Sequence, residues 1–283
     1  MHWELIADTS CTIGEGVLYH PDERAVYWID IPSGEVFRHR PNEAGFEILR
    51  RGNPIGGFTF EADGSLLFFG DNGAVTRWTE QGESPVADFD IRTGRRFNDV
   101  IADRQGRVFA GTMDENDHSV GALYRLDPGG ELTELESDIA LPNGMGFSTD
   151  FCKFYLVETD SNTIYAYEYD EASGGISNRE ILSQRDSPDK YDGLTVDTEG
   201  YLWVGLWNGA AIERLTPDGE VDTHTGLPAT NVTTLAFGGP NYQTAFISTA
   251  ALDAPEADEY PGALMSVQTH AKGRPESFSR ITL

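Results

Sequence analysis

One pattern recurs in NDVIADRQGRVFAG (residues 98–111) and DGLTVDTEGYLWVG (residues 192–205). Each segment has a short apolar run, a two-residue turn that ends in glycine, and a strand in which apolar and polar residues alternate. This combination is typical of a β-hairpin. The same register fits four further segments, the last of them more weakly, and these begin at Glu15, Gly56, Asn143 and Thr233. The chain therefore contains six copies of one unit.

The spacing of these units indicates their architecture. Successive units start 41, 42, 45, 49 and 41 residues apart, and periods of roughly 40–50 residues with several short strands per unit indicate propeller blades. Residues 3–7 are expected to supply the outer strand of the last blade, because an open propeller would leave exposed strand edges. We predict an all-β, six-bladed β-propeller, closed by pairing of the N-terminal strand with the last blade and formed by residues 1–283 as a single domain.

The charge of the chain limits its partners. Acidic residues number 47 against 20 lysines and arginines, and the formal net charge is -27. Such a surface repels nucleic acids and anionic membranes, since binding to either needs basic patches. We interpret the acidity as a solubility feature, compatible with adaptation to high salt, where self-repulsion is screened. A calcium-buffering surface is disfavoured because the acids are scattered and no loop has EF-hand spacing.

The chain also lacks the marks of export or membrane insertion. No apolar run approaches the ~20 residues needed to span a bilayer, and the first residues have neither a basic nor an apolar signal-peptide region. We therefore expect a cytoplasmic protein, present as a monomer or weak dimer. Its two cysteines, Cys11 and Cys152, have no metal-ligand spacing, so we expect two buried reduced thiols rather than a disulfide.

The first position of the six repeats is mostly polar. The innermost strand of every propeller blade lines the axis, so equivalent positions converge at one level of the channel. These positions hold Glu15, Gly56, Asn98, Asn143, Asp192 and Thr233. Carboxylate and carboxamide oxygens suit Ca²⁺, Mg²⁺ or Mn²⁺, and the absence of His and Cys from the set weighs against a dedicated zinc site.

Each of these side chains taken alone could instead cap its own backbone in an Asx-turn. Four in register are different, because two carboxylates that face each other need a cation or a shared proton to offset their repulsion. The sequence therefore predicts a divalent-metal site in the channel. Arg96, two residues before Asn98, could hold an anionic or carbonyl oxygen there, or form a salt bridge with one of the abundant acids.

A second inward level follows fifteen residues later in each repeat. It holds Asp30, Asp71, Met113, Glu158, Trp207 and Ser248. These residues could form a second polar shell or could be strand ends at the opposite rim, and the sequence leaves both open. The histidines are scattered, and the chain has no Ser-His-Asp order or nucleophile elbow, so covalent catalysis is unsupported.

Several short motifs carry a resemblance to a known family. They are GEG at 14–16, RFND at 96–99, GTM at 111–113, PNG at 142–144 and DGL at 192–194. With these motifs the chain resembles, over nearly its whole length, the gluconolactonase family that includes senescence-marker protein (regucalcin) and bacterial sugar-acid lactonases. The resemblance implies a six-bladed propeller with one catalytic divalent metal ion, for which we expect Ca²⁺, with Mn²⁺, Mg²⁺, Zn²⁺ or Fe²⁺ also possible.

The resemblance also implies a role for each site residue. Glu15, Asn143 and Asp192 are the expected metal ligands, while Asn98 lies close to the substrate or to a water on the metal. Arg96 is expected to bind substrate hydroxyls. An acidic residue after the GTM motif is expected to do likewise, either Asp114 or Glu115, and the spacing favours Glu115.

The function expected from this resemblance is hydrolysis of a sugar lactone, a pentono- or hexono-1,4- or 1,5-lactone, to the sugar acid. The metal would act as a Lewis acid on the lactone carbonyl, and Asp192 would be the general base. Three alternatives stay open: a calcium-binding regulatory protein of the regucalcin type, a promiscuous metal-dependent esterase or phosphotriesterase, and an interaction scaffold with a solvated channel.

Overall fold

Six four-stranded antiparallel sheets make up the computed structural model, which describes residues 2–41, 43–91, 95–114 and 121–283. The inner strands of neighbouring sheets contact one another around a closed ring, as in a propeller, so the predicted six-bladed all-β fold is confirmed. The described residues contain no helix that could cross a membrane.

The strands follow one another with short connections. In chain order they are β1 (Trp3–Ala7), β2 (Gly14–His20), β3 (Ala25–Asp30), β4 (Glu35–His39), β5 (Glu47–Arg50), β6 (Ile55–Phe60), β7 (Leu66–Gly70), β8 (Ala74–Thr79), β9 (Gly82–Asp88), β10 (Arg95–Ala102), β11 (Val108–Asp114), β12 (Ala122–Leu126), β13 (Leu132–Glu136), β14 (Pro142–Phe147), β15 (Lys153–Glu158), β16 (Thr163–Asp170), β17 (Gly175–Gln184), β18 (Lys190–Val196), β19 (Leu202–Trp207), β20 (Ala211–Leu215), β21 (Val221–Gly226), β22 (Asn231–Gly238), β23 (Thr244–Ala250) and β24 (Leu264–Gln268).

Each blade consists of four consecutive strands, starting with β2 in blade 1, β6 in blade 2, β10 in blade 3, β14 in blade 4 and β18 in blade 5. Blade 6 contains β22, β23 and β24, and its outer strand is β1, which pairs antiparallel with β24 through Trp3 opposite Val267. The predicted closure by the N-terminal strand is therefore confirmed. It covers the edge that β24 would otherwise expose.

The hairpin turns differ from the sequence prediction. Between β10 and β11, Asp103 N donates to Arg107 O at 2.9 Å and Gly106 N donates to Asp103 O at 3.0 Å, so three residues, not two, form the loop. Gly106 has a φ of +85°, the left-handed conformation that a three-residue hairpin loop with a glycine bulge requires. The prediction of a two-residue turn is wrong here because Arg104, Gln105 and Gly106 all lie between Asp103 and Arg107, the pair that closes the loop.

The apolar core is divided among the six interfaces between neighbouring blades. Each of six clusters of buried residues draws on two adjacent blades. Between blades 2 and 3, for example, Phe69 and Phe97 pack edge to face with ring centroids 5.3 Å apart, and Trp203 and Phe237 do the same between blades 5 and 6 at 5.4 Å. Such contacts fix the rotation of each blade about the axis, and hence the direction in which its inner strand points.

A C-terminal strap, residues 269–283, crosses the far end of the channel. Its hydrogen bonds reach several blades and include Gly273 N to Tyr242 O at 2.8 Å, Arg274 Nη1 to Ser148 O at 3.1 Å, Ser279 N to Phe60 O at 2.8 Å and Arg280 N to Gly106 O at 3.0 Å. A small cavity of about 70 Å³ remains between the strap and the inner strands. The strap closes one end, so ligands reach the channel from the other.

Candidate functional site

All six inner strands are irregular at the position where the sequence repeats align. The pairing register between inner and second strand shifts by one residue there, in the intervals Glu15–Leu18, Ile55–Gly57, Phe97–Val100, Pro142–Met145, Tyr191–Leu194 and Val232–Leu235. A β-bulge of this kind bends the strand and changes the direction of the side chains next to it. At the level where the candidate ligands lie, the bulge thus interrupts the alternation of side chains between the two faces of the strand.

The structure brings the four candidate residues together. Glu15, Asn98, Asn143 and Asp192 line one cavity of about 620 Å³ at the open end of the channel. Each of the four is between 4% and 7% exposed, and Arg96, also in the cavity wall, is 8% exposed. A cavity of this volume with a few convergent polar groups is typical of a small-molecule site.

Asn143 links the candidate ligands of two blades. Its Nδ2 donates to Asp192 Oδ1 and lies 3.3 Å from Thr159 Oγ1, which itself donates to Tyr191 O at 2.9 Å. Glu15 Oε2 accepts a hydrogen bond from Gly16 N at 3.1 Å. Within the described residues, Asn143 Oδ1, Asp192 Oδ2 and Glu15 Oε1 accept no hydrogen bond. These three oxygens are therefore available to a ligand in the cavity.

The carboxyl groups of the site resist ionisation. Burial raises the pKa of Glu15 well above its usual value, and the neighbouring charges of Asp192 and Asp99 raise it further. Burial and the Asp99 charge likewise raise the pKa of Asp192, and burial raises that of Asp99 to about 6. A divalent cation bound between Glu15 and Asp192 would reverse this, because opposite charge favours the ionised form.

The donor set fits a hard cation. It offers two carboxylates and one carboxamide, all oxygen donors, as Ca²⁺ or Mg²⁺ prefers. In the described part of the chain no three His, Cys, Asp or Glu side chains converge as a metal cluster would require. The third candidate ligand is instead a carboxamide, that of Asn143.

Arg96 and Asn98 form a linked pair beside these ligands. Arg96 Nη1 donates to Asn98 Oδ1 at 2.8 Å and to Phe97 O at 3.0 Å, and Asn98 Nδ2 donates to Pro142 O at 2.9 Å. The carboxamide of Asn98 is thus held at both ends by the protein, and it fixes the guanidinium of Arg96 against the cavity wall. Of the two acids predicted near the GTM motif, Asp114 ends β11, whereas Glu115 lies outside the described residues.

The second inward level lies at the same end of the channel as the first, because antiparallel pairing places Asp30 opposite Gly14. The opposite-rim alternative is therefore wrong. Two of the acids bind backbone: Asp30 Oδ1 accepts from Ile13 N at 2.9 Å, and Glu158 Oε1 accepts from Leu141 N at 3.0 Å. Met113 and Trp207, by contrast, line the cavity.

Sequence reasoning missed Lys190 and the apolar part of the cavity wall. Lys190 lines the cavity, and its Nζ donates to Asp160 O at 3.2 Å. A signal was present in the repeat, because Lys190 precedes Asp192 by two residues as Arg96 precedes Asn98. The apolar wall residues, among them Ile31 and Leu252, fall in connections that carry no repeat pattern, so no comparable signal marks them.

Comparison with known proteins agrees with this architecture. The family model of the SMP-30/Gluconolactonase/LRE-like region matches residues 13–251. The chain is 40% identical over 287 residues to the pentonolactonase XacC of Haloferax volcanii, with 98% of each chain covered. It is 29% identical over 257 residues to human regucalcin, covering 87% of this chain and 86% of that one.

A solved structure shows the same fold at low sequence identity. The calcium-binding protein regucalcin from Agrobacterium tumefaciens superposes with a TM-score of 0.92 at 23% identity, covering 98% of this chain and 97% of that one. At this identity the likeness concerns the fold alone. The family match and the pentonolactonase similarity go further, and by them this chain belongs to the SMP-30/gluconolactonase/LRE-like family.

Proposed function

We propose that this chain hydrolyses a sugar lactone of the aldonolactone class to the open sugar acid, with a divalent cation held by Glu15, Asn143 and Asp192. The observation that carries the proposal is the convergence of these three side chains, with free oxygens, at one level of a cavity of about 620 Å³. The 40% identity to a pentonolactonase over nearly the whole chain supports the substrate class. Ca²⁺ suits the oxygen donors best.

When bound, the cation supplies Lewis acidity towards the lactone carbonyl and so favours developing negative charge on its oxygen. The protein's contribution is to hold the ligands before the substrate arrives. Asn143 does this for Asp192 through its Nδ2 contact, while Thr159 anchors Asn143 to the neighbouring strand β18. Such supporting contacts fix ligand orientation and raise cation affinity.

Asp192 is the general base of the proposed reaction. Its Oδ1 accepts from Asn143 Nδ2, and within the described residues its Oδ2 accepts no hydrogen bond, so one oxygen of the carboxylate can contact the cation while the other accepts the proton. A water oxygen attacks the lactone carbonyl carbon and gives one proton to Asp192. The bond from that carbon to the ring oxygen then breaks, and the ring oxygen takes up a proton to become the hydroxyl of the sugar acid.

Arg96 positions the sugar. Its guanidinium lies in the cavity wall and is fixed there by the bonds from Nη1 to Asn98 Oδ1 and Phe97 O. Donors in a rigid planar group suit the oxygens of a polyol, and a fixed orientation reduces the entropy lost on reaching the transition state. Asn98 acts through Arg96, since both ends of its carboxamide are engaged by protein atoms. Glu115 is the further substrate-binding residue that we propose.

The decisive experiment is lactone hydrolysis with a pH-indicator readout. Protein stripped with EDTA is assayed against a panel of pentono- and hexonolactones, with Ca²⁺, Mn²⁺, Mg²⁺, Fe²⁺ or Zn²⁺ added back. Asp192→Ala should abolish the EDTA-sensitive activity. Asp192→Asn should still bind the cation by calorimetry yet lose turnover, because an amide cannot accept the proton. Asp218→Ala, which alters an exposed aspartate on the β20–β21 turn, is the matched control.

Two results would overturn the proposal. Wild-type turnover in Asp192→Ala would remove that residue from the mechanism. Calcium binding without hydrolysis of any lactone in the panel would favour a regulatory calcium-binding protein instead.

A further inference from the structure

Apolar side chains line much of the cavity, which is unexpected in a site for a polyhydroxylated ligand. Met113, Leu141, Pro188 and Trp207 come from blades 3 to 5, and a second group comes from blades 1 and 6. Ile13, Ile31 and Pro32 from blade 1 and Leu252 from blade 6 lie next to one another in the ring and line the cavity there. We call these four residues the apolar wall. Leu252 is 40% exposed, although it is a large apolar side chain at the rim of a polar site.

The loops that carry the apolar wall are fixed by backbone contacts. Leu252 N donates to Thr12 O at 3.0 Å, and Ile31 N donates to Ile13 O at 3.0 Å. The buried Asn231 adds a bond from its Nδ2 to Leu252 O at 2.7 Å. These bonds fix the conformation of the loop, and that conformation leaves Leu252 exposed. A ligand in the cavity meets a preformed apolar surface.

The polar groups that orient the sugar lie across the cavity from this wall. Arg96, which Asn98 holds, belongs to blade 3. In a ring of six, blade 3 is opposite blade 6, which carries Leu252, and is two blades from blade 1, which carries the other three residues of the wall. In a 1,4-lactone the carbonyl carbon C1 is flanked by C2 on one side and the ring oxygen on the other. The C2 and C3 hydroxyls therefore project from one edge, and the substituent on C4 projects from the opposite edge.

The lactone carbonyl would lie at the cation held by Glu15, Asn143 and Asp192. With the C2 and C3 hydroxyls on Arg96, the C4 substituent then points to the apolar wall. We infer that the apolar wall receives the terminal carbon of this substituent and that the site favours 6-deoxy aldonolactones over their 6-hydroxy counterparts. This inference rests on the proposed lactonase function and specifies its substrate. A terminal methyl group gains by leaving water at the wall, whereas a terminal hydroxyl finds no partner on these side chains and loses its own hydration.

The test compares two lactones that differ at one atom. L-Rhamnono-1,4-lactone carries a methyl group where L-mannono-1,4-lactone carries a hydroxymethyl group, and their ring hydroxyls are identical. The value of kcat/KM for the holoenzyme should be about tenfold higher for the deoxy compound, the size of discrimination an apolar pocket gives for one such group. Leu252→Ser should bring the ratio of the two values close to one. Leu5→Ser, which alters a leucine of similar exposure on the outer strand β1 (38%), should leave the ratio unchanged.

The possible failures are distinguishable. Hydrolysis of both compounds with a ratio at or below one would overturn the inference and leave the lactonase function standing. A tenfold ratio that persists in Leu252→Ser would show that the preference arises elsewhere and would overturn the role of the apolar wall. Hydrolysis of neither compound nor of any other aldonolactone would overturn the proposed function and this inference together.

Discussion

Replacing Gly144 by alanine should separate Asn143 from Asp192 without any change to the chemistry of either. A Cβ atom on Gly144 would lie 2.2 Å from Leu194 N and 2.6 Å from both Asp192 O and Gly193 C. All three are backbone atoms of β18, so no side-chain rotation can relieve the clash. To increase the shortest contact to 3.0 Å, the limit that real Cβ atoms respect, β14 and β18 must move apart by about 0.8 Å.

That displacement falls on the candidate ligands. Asn143 is adjacent to the mutated residue and contacts Asp192 on the strand that must move. We expect the free energy of unfolding to fall by about 1–3 kcal/mol, as for other overpacked sites. Divalent-cation affinity should fall about 10- to 100-fold, the usual effect of disturbing a ligand's support. Lactone turnover should fall about 100-fold, since a displacement near 1 Å is costly in an oriented site.

Three measurements on the same protein check this reasoning. Urea unfolding in EDTA gives the stability change free of cation binding, calorimetric titration gives the affinity, and the pH-indicator assay gives turnover. Gly129→Ala is the control, because a Cβ atom there would meet nothing within 4 Å. If Gly144→Ala bound cation and turned over lactone like the wild type, the close approach of β14 and β18 would not be what assembles the site.

Charge and burial lead to four further predictions. Cys11 is 2% exposed, and burial raises the pKa of its thiol to about 12. Cys152 is exposed, so the prediction of two buried thiols is wrong for this residue. A disulfide reagent at pH 8 should therefore titrate one thiol per native chain, that of Cys152, and two in urea; two in the native state would contradict this. Because the pKa of Cys11 is higher in the folded chain than the ordinary thiol value of 9.0, its contribution to the free energy of unfolding should be complete below pH 9 and lost as the pH rises towards 12, as urea unfolding at several pH values would measure. Raising NaCl from 0.1 to 1 M shortens the Debye length from about 10 to about 3 Å and should raise the Tm of a chain of net charge -27; an unchanged or lower Tm would refute self-repulsion as a destabilising term. Because Lys190 lines the cavity, we expect its ammonium group to hydrogen-bond a substrate oxygen. Lys190→Met should then raise KM about tenfold, the value of a charged hydrogen bond, with cation affinity retained, whereas Lys272→Met on the strap should leave KM unchanged; an unchanged KM in Lys190→Met would contradict this role.

The fold could be predicted because every blade of a propeller carries the same hairpin pattern in its sequence. Six hairpin segments at a regular period fix the number of blades, and closure by Trp3–Ala7 follows from the need to cover the edge of β24. The strap could not be predicted in the same way. Residues such as Gly273 and Ser279 belong to no repeat, and their positions depend on bonds to Tyr242 and Phe60, in other blades.

The site was predictable in its members and less so in its geometry. The alignment of the six repeats alone predicted that Glu15, Asn98, Asn143 and Asp192 lie together. It treated them as equals, however, whereas the structure engages both ends of the Asn98 carboxamide in holding Arg96. A hydrogen-bond partner such as Pro142 O, forty-four residues away in the chain, cannot be inferred from a residue's own position in a repeat. The bulges were also missed, since an inserted residue leaves no mark on the apolar pattern of a short strand.

The bulges explain why the repeated position can differ so much from blade to blade. Each inner strand has the same backbone irregularity there, so the fold does not depend on which side chain occupies it. In blade 2 it holds Gly56, where a Cβ atom would lie 1.9 Å from Phe97 O, so the strands pack too closely for any side chain. In blade 6 it holds Thr233, whose hydroxyl donates to Gly14 O at 2.5 Å and joins the last blade to the first. Blades 2 and 6 therefore use the position to pack the ring. Because those contacts are made there, blades 1, 4 and 5 can place Glu15, Asn143 and Asp192 at the same level, where burial without a cation is unfavourable to both carboxylates.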